Sequence, residues 1–518
     1  MAIWLGLDLG TSGVRALLLD GSGKPLGSAS GPYQLSSPRA GWCEQDPGAW
    51  WDAVAGAVRA AVRSARISPE DVTGIGVTGQ MHGLVLVDGL GAVLRPAIIW
   101  PDRRCVPQLR GLDSALAADA VRAVTGTAAS TGLLGPNLAW VRQHEPEIYA
   151  GSRCALLPKD YLRYLLTGQV HTEPSDACGT LLFDIQRRAW SPRMADALGV
   201  DLDKLPPVVD SATVVGGITA AAADALGLRA GTPVVAGASD QATSALALGL
   251  TRPGDTSIAI SSGGTVVQAA TAPPDNPPAG VHTLCAASGG YLLMGATLTA
   301  GLALKWLADT MTAPLPDAQP DSAHLVKDDI VGQLARAAEA VPPGAEGLLF
   351  LPYLAGERTP HMDAAARGCF LGLTLDHRAG HLARAVMEGV AFALTDCLDT
   401  VSAAGTVPRS VVAGGGGLRS PLWRQILADV IGVPVRVTDV DEHSATGAAL
   451  LAAEGIGRGN GAFAPAEPRT IDVVEPTSPS AYTAHLAMFR RAYRELAPTL
   501  RALTGEALAD ATTTTTWE

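Results

Sequence analysis

Residues 3–19 read IWLGLDLGTSGVRALLL, and their interpretation decides the fold. An apolar run, Ile3 to Leu9, is broken by Asp8 and followed at once by Gly10, Thr11, Ser12 and Gly13, after which Val14 to Leu19 is apolar again. Apolar residues flanking glycines at turn spacing predict a β-hairpin rather than a helix. Next to it, Trp50 to Arg66 carries Val54, Ala57, Val58, Ala61 and Val62 at helical spacing, and Val72 to Val77 reads as a buried strand. Strands alternating with helices argue for a layered α/β protein.

The same grammar returns midway. Pro233 to Ala238 reads as a strand leading to Asp240, and Ala242 to Leu250 as a helix. Thr256 to Ser261 then runs into Gly263, Gly264 and Thr265 before the apolar Val266 and Val267. Two similarly built halves follow, 1–250 and 251–500, divided where Thr251, Arg252, Pro253 and Gly254 interrupt the pattern, with a tail over 501–518 whose threonine run reads as disordered. In the second half, His381 to Val401 has a helical apolar face and Val411 to Gly417 is a strand running into glycines.

The 518 residues suffice for two large domains, and a hydrophobic content of 47% against 17% charged excludes a disordered chain. A net charge of −12 without a basic run argues against a nucleic-acid surface. The seven cysteines form no CxxC pair, no basic segment precedes the apolar start, and no uncharged run is long enough for a membrane span. The expectation is a reduced, cytoplasmic protein.

Candidate chemistry gathers at the glycine turns. Backbone N–H groups of Gly10–Gly13, the Thr11 and Ser12 hydroxyls and the cation of Arg15 suit a phosphate, and Asp8 beside them suggests an intervening Mg²⁺; an ordinary hairpin with a surface Asp remains the alternative. Asp240, after a strand, fits the base that phosphoryl transfer to an alcohol requires, with one Asp from each half filling the two roles; the competing reading makes it the cap of the following helix. The loop Gly79–Gly83 offers Met81 and His82 to a polar ligand, although a structural His is common in loops. Lys159 and Asp160 read as a solvated ion pair. Gly21–Lys24 lacks the P-loop's Ser/Thr, Gln241 replaces the last glycine of a nucleophile elbow, and Arg419 breaks the dinucleotide glycine pattern, which disfavours those three chemistries.

Taken together, GLDLGTSG with Arg15, GQMHG at 79–83, WPDRR at 100–104, LPKDYL at 157–162, SDACGT at 175–180 and GGGGLRSPLWRQILAD at 414–429 resemble the FGGY carbohydrate kinases, in family order over most of the chain. The resemblance implies two ribonuclease-H-like domains flanking a cleft, as in actin, hexokinase and heat-shock-protein ATPases. It also implies transfer of phosphate from Mg·ATP to a sugar hydroxyl, with D-xylulose the first expectation and ribulose, gluconate or glycerol the alternatives; an actin-like ATPase binding module is the more distant one. By the same resemblance Asp240 is the base, Asp8 and Asp240 attend Mg²⁺, and Met81, His82, Gln241, Trp100 and Asp102 meet the sugar. Gly263, Gly264 and Thr265 form a second phosphate loop, while Gly301, Lys305, Gly415, Gly416 and Ser420 lie on the nucleotide side. Gln241 stands where many relatives have Asn, and Asn137 where they often have Lys. A homodimer is the implied assembly, with no surface assigned.

Overall fold

The computed structural model describes residues 2–312, 330–457 and 468–503. Its first sheet has six strands. Ile3–Leu9, Gly13–Asp20 and Pro25–Pro32 form an antiparallel meander; Val72–Gly79 then pairs parallel to the first strand, Pro233–Val235 parallel to Val72–Gly79, and Val214–Gly217 closes the edge. The hairpin predicted over 3–19 is present, in a register that sets Asp8 opposite Arg15, and Gly10 N donates to Gly13 O at 3.1 Å across the turn. The helix Pro47–Ala65 buries Trp50, Val54, Ala57, Val58, Ala61 and Val62 against this sheet, the face that its spacing required.

The second sheet repeats the plan. Thr256–Ile260, Gly264–Ala270 and Tyr291–Thr297 make an antiparallel meander, and Val411–Gly414 and Val435–Thr438 follow in parallel, with His282–Cys285 and Thr470–Val474 at the edges. Each half is thus three antiparallel strands continued by two parallel ones, the ribonuclease-H-like order. The helix Ala379–Ala404, buried along most of its length, covers one face of the second sheet.

Several boundaries differ from the sequence reading. The strand before Asp240 stops at Val235, and the helix after it, Asp240–Ala247, begins at Asp240 itself. Ser239 caps that helix by accepting from Ala242 N, so Asp240 is not the cap. Residues 501–503 of the expected tail finish the helix Pro479–Leu503; the remainder lies outside the described residues.

The halves also interlock. The helix His443–Gly457, late in the chain, lies on the first sheet, with Ala445 and Ala449 in one core cluster with Trp4, Leu17 and Leu19. Glycines permit the approach: a Cβ on Gly6 would overlap the Ala445 carbonyl, and one on Gly76 the Ala448 carbonyl. The helix Asp240–Ala247 packs beside it, where Gly447 faces the Thr243 carbonyl and the Ser244 and Ser444 hydroxyls meet at 2.9 Å. Among the described residues no helix is long and apolar enough to cross a membrane.

Candidate active site

Between the sheets lies a cleft of about 980 Å³ lined by Asp8, Trp100, Gln241, Gly263, Gly264, Thr265, Gly415 and Gly416, together with Arg358 and His443. The second hairpin turn, Ser261 to Thr265, lines it, and Asp8, two residues before the first turn, lines it from the other half. In the second, Ser261 N donates to Gly263 O at 2.9 Å and Ile260 pairs with Gly264, the same tight connection as at 10–13. Gly301 opens the helix Gly301–Thr312, and its N–H donates to Ser261 O at 2.8 Å; a side chain here would strike that carbonyl, so glycine lets the helix end close on the turn.

Asp8 and Asp240 are partly open to solvent and enclosed by protein. Enclosure, then the neighbouring Asp240 and Glu442, push Asp8 up to about 7. Enclosure raises Asp240 to about 6, against the pull of hydrogen bonds from Gln241. One expectation is corrected here: both carboxylates come from the first half, Asp8 on Ile3–Leu9 and Asp240 just after Pro233–Val235, two strands across the same sheet. The second half contributes glycine turns. Two hard oxygen donors, both raised above the usual carboxylate range chiefly by enclosure, fit a divalent cation such as Mg²⁺. Among the described residues no group of three or more His, Cys, Asp or Glu side chains is placed to hold a metal ion.

On the sugar side, Met81 is buried and His82 adopts a positive φ of 76°, which turns its ring so that Nδ1 meets the Gly179 carbonyl at 2.7 Å. A carbonyl can only accept, so Nδ1 carries the proton and Nε2 is left as an acceptor. Burial, and then the Arg358 charge, lower His82 to about 4, so the ring is neutral at physiological pH. Trp100 donates from its indole to Thr11 Oγ1 at 2.9 Å and remains 44% exposed, while the exposed Ser12 accepts from Tyr33 N at 3.4 Å. Arg15 is paired with Glu442 at 3.1 Å.

Other expected residues are not brought to the cleft. Asp102 is fully buried, and its oxygens accept from Cys43 N at 2.6 Å and from the Arg104 backbone and guanidinium at 2.8–3.0 Å, which makes it a structural anchor. Lys305 pairs with Asp309 one turn along its exposed helix, and Ser420 caps the helix Pro421–Ile431 through Trp423 N. Neither lines the cleft. Asn137 is buried with neither amide atom hydrogen-bonded.

Lys159 and Asp160 are not solvated. Both side chains are fully buried, with Lys159 Nζ 2.7 Å from Asp160, 3.4 Å from Glu173 and 3.6 Å from Asp176, and with Arg163 2.9 Å from Asp160. Burial would lower Lys159, but the three carboxylates outweigh it and the pKa rises; burial drives Asp176 well above the ordinary range. The network reaches Asp240 through hydrogen bonds. Glu173 accepts from Ser175 and Ser211, Ser175 Oγ accepts from Ser239 N at 2.9 Å, and Arg163 donates to Ala236 O at 2.9 Å, so both ends of the loop before Asp240 are tied down. Spacing gave no sign of this, because its members are scattered over residues 159–239. Arg358 was also unforeseen; its only local signal is a charged pair between Gly356 and Pro360 after the apolar run Leu348–Leu351.

A duplicated α/β architecture of the actin and hexokinase type, with Asp8 and the glycine turn 263–265 lining the cleft and Asp240 close behind it, is suited to phosphoryl transfer. Models of the N-terminal and C-terminal domains of the FGGY family of carbohydrate kinases match residues 3–247 and 258–455. The chain belongs to that family, and it is a carbohydrate kinase. It is 38% identical to a xylulose kinase of Escherichia coli over 87% of this chain and 89% of the relative, and 36% identical to one of Bacillus subtilis over 88% of each. A crystal structure of xylulose kinase from Rhodospirillum rubrum superposes with a TM-score of 0.85 at 33% identity, covering 96% of this chain and 99% of that one.

Proposed function

We propose that the chain transfers the γ-phosphoryl group of Mg·ATP to D-xylulose, giving D-xylulose 5-phosphate, in a reduced cytoplasm suited to its seven free cysteines. The observation that carries this reading is Asp8 in a cleft lined by glycine turns, with Asp240 near enough to push its pKa up. Asp240 takes the proton of the attacking hydroxyl; a carboxylate raised to about 6 remains ionised near neutrality and is a stronger base than an ordinary one. Asp8 and Asp240 would hold Mg²⁺, which when bound supplies positive charge to the phosphate oxygens. Backbone N–H groups at 10–13 and 263–265 cradle the phosphates, with Thr11, Ser12 and Arg15 beside the first turn.

His82 Nε2 and the Met81 backbone hold the sugar, and Gln241 and Trp100 face it from the cleft wall. The nucleotide lies against Gly301, Gly415 and Gly416. Closure of the halves excludes water, so that ATP is spent on the sugar rather than hydrolysed. The test is coupled ADP formation over ketoses, polyols and sugar acids, with Asp240→Ala beside the wild type. D-Xylulose should lead the ranking, and the variant should lose about 10²-fold or more of sugar-dependent turnover with ATP affinity kept. Preference for ribulose, gluconate or glycerol would reassign the substrate; ATP hydrolysis indifferent to every sugar would refute the kinase reading.

A further inference from the structure

We infer that Arg358 is the cation that grips the transferring phosphoryl group from the second half of the molecule, a role that rests on the kinase reading above. Its side chain is exposed to the cleft and lines it with Asp8, Gln241 and Gly263–Thr265. Among the described residues the guanidinium has no hydrogen-bond or ion-pair partner. The other arginines at or near the cleft are engaged: Arg15 with Glu442 at 3.1 Å, Arg419 with Asp441 at 3.5 Å and Arg424 with Asp472 at 3.6 Å. The carboxylate next to it in sequence does not neutralise it at close range either. Glu357 accepts from the Thr297 hydroxyl at 2.6 Å, from Leu298 N at 3.2 Å and from Arg358 N at 2.6 Å, which engages three of its roughly four acceptor sites with a hydroxyl and backbone.

The backbone under Arg358 is fixed to the second phosphate turn. Thr359 N donates to Ala296 O at 2.9 Å, Ala296 N to Thr359 Oγ1 at 3.0 Å, and Thr359 Oγ1 to Gly280 O at 2.7 Å. The strand that carries Ala296 sets Thr297 opposite Gly264. Arg358 therefore leaves the protein beside the phosphate turn, and its charge adds to burial in lowering the buried imidazoles of His82 and His282 to about 4. An unpaired guanidinium exposed to the cleft beside the phosphate turn is matched to an anion in passage. Planar forked donors suit phosphoryl oxygens better than any hydroxyl.

In the transfer, the sugar oxygen forms its bond to the γ-phosphorus as the bond from that phosphorus to the ADP oxygen breaks, and the hydroxyl proton passes to Asp240. Negative charge spreads over the three oxygens of the moving group, and Arg358 is placed to accept it.

The experiment compares Arg358→Ala and Arg358→Lys with wild type. Arg358→Ala should lose on the order of 10³-fold in kcat, the lower range for an arginine that stabilises phosphoryl transfer, while the Kd for ADP and for the unphosphorylated sugar stay within about threefold. Its affinity for the sugar phosphate, and for inorganic phosphate beside ADP, should fall, and added guanidinium ion should restore part of kcat. Arg358→Lys should fold with an unchanged melting temperature and recover only part of the rate, because a point charge lacks the fork. Retention of wild-type kcat, or undiminished binding of inorganic phosphate and sugar phosphate by Arg358→Ala, overturns the assignment. A drop in sugar affinity with phosphate binding intact also overturns it, in favour of a sugar contact. Because phosphate binding beside ADP is measured without sugar, a wild type that phosphorylates no sugar strikes the functional reading alone.

Discussion

Replacing Lys159 by Met removes a cation from the centre of a fully buried cluster. The lysine stands within 2.7–3.6 Å of Asp160, Glu173 and Asp176. Asp160 keeps Arg163 at 2.9 Å, so the loss falls on Glu173 and Asp176. Breaking a buried ion pair from one side costs about 3–5 kcal/mol. Asp176 is already pushed well up by burial and can take a proton, which relieves part of the imbalance and places the expected loss near about 3 kcal/mol. At about 2–4 °C per kcal/mol for a domain of this size, the first transition in a calorimetric scan should drop by about 6–12 °C. Adding Asp176→Asn should return part of it, read as a coupling energy in a double-mutant cycle. Because Glu173 holds Ser175 and Ser175 holds Ser239 N, kcat should fall as well, with KM for ATP unchanged. A melting temperature within about 2 °C of wild type would show that the cluster is not a supporting element, and the reasoning would fail.

Gln241→Asn shortens an amide that lines the cleft beside the proposed base, so the ranking of kcat/KM among pentuloses should change while ATP affinity does not; an unchanged ranking removes Gln241 from substrate choice. Gly76→Ala should destabilise by at least about 1–3 kcal/mol, since its Cβ would overlap the Ala448 carbonyl, whereas Gly56→Ala, with open space around a helical position, should gain about 0.5–1 kcal/mol; urea midpoints of the two variants test the contrast.

Much of the architecture was legible because it is local. The hairpins at 3–19 and 256–267 announce themselves by glycine turns between apolar runs, and the helix over 47–65 by its spacing. What escaped was long-range. Nothing in the composition of 443–457 says that this helix covers the first sheet, and Lys159 looked solvated because its burial depends on Glu173 and Asp176, which the fold brings to it. Asp8 was singled out beside a glycine turn and Asp240 after a strand, yet their origin on a single sheet is a matter of strand order, which periodicity does not encode. Asp102 shows the opposite error: a carboxylate in a polar motif was assigned to the sugar, whereas the backbone of Cys43 and the Arg104 side chain claim it.

The helix His443–Gly457 makes the order of synthesis differ from the order of assembly. When the ribosome has finished the residues of the first sheet at Val235, one face of that sheet still lacks its cover, and the cover, starting at His443, arrives only after more than two hundred further residues have emerged. The early half must therefore wait, incomplete and exposing Gly6 and Gly76, for a helix encoded far downstream. A nonsense codon before residue 443 would cripple both halves at once, and a chaperone that shields that face during translation would have a definite task.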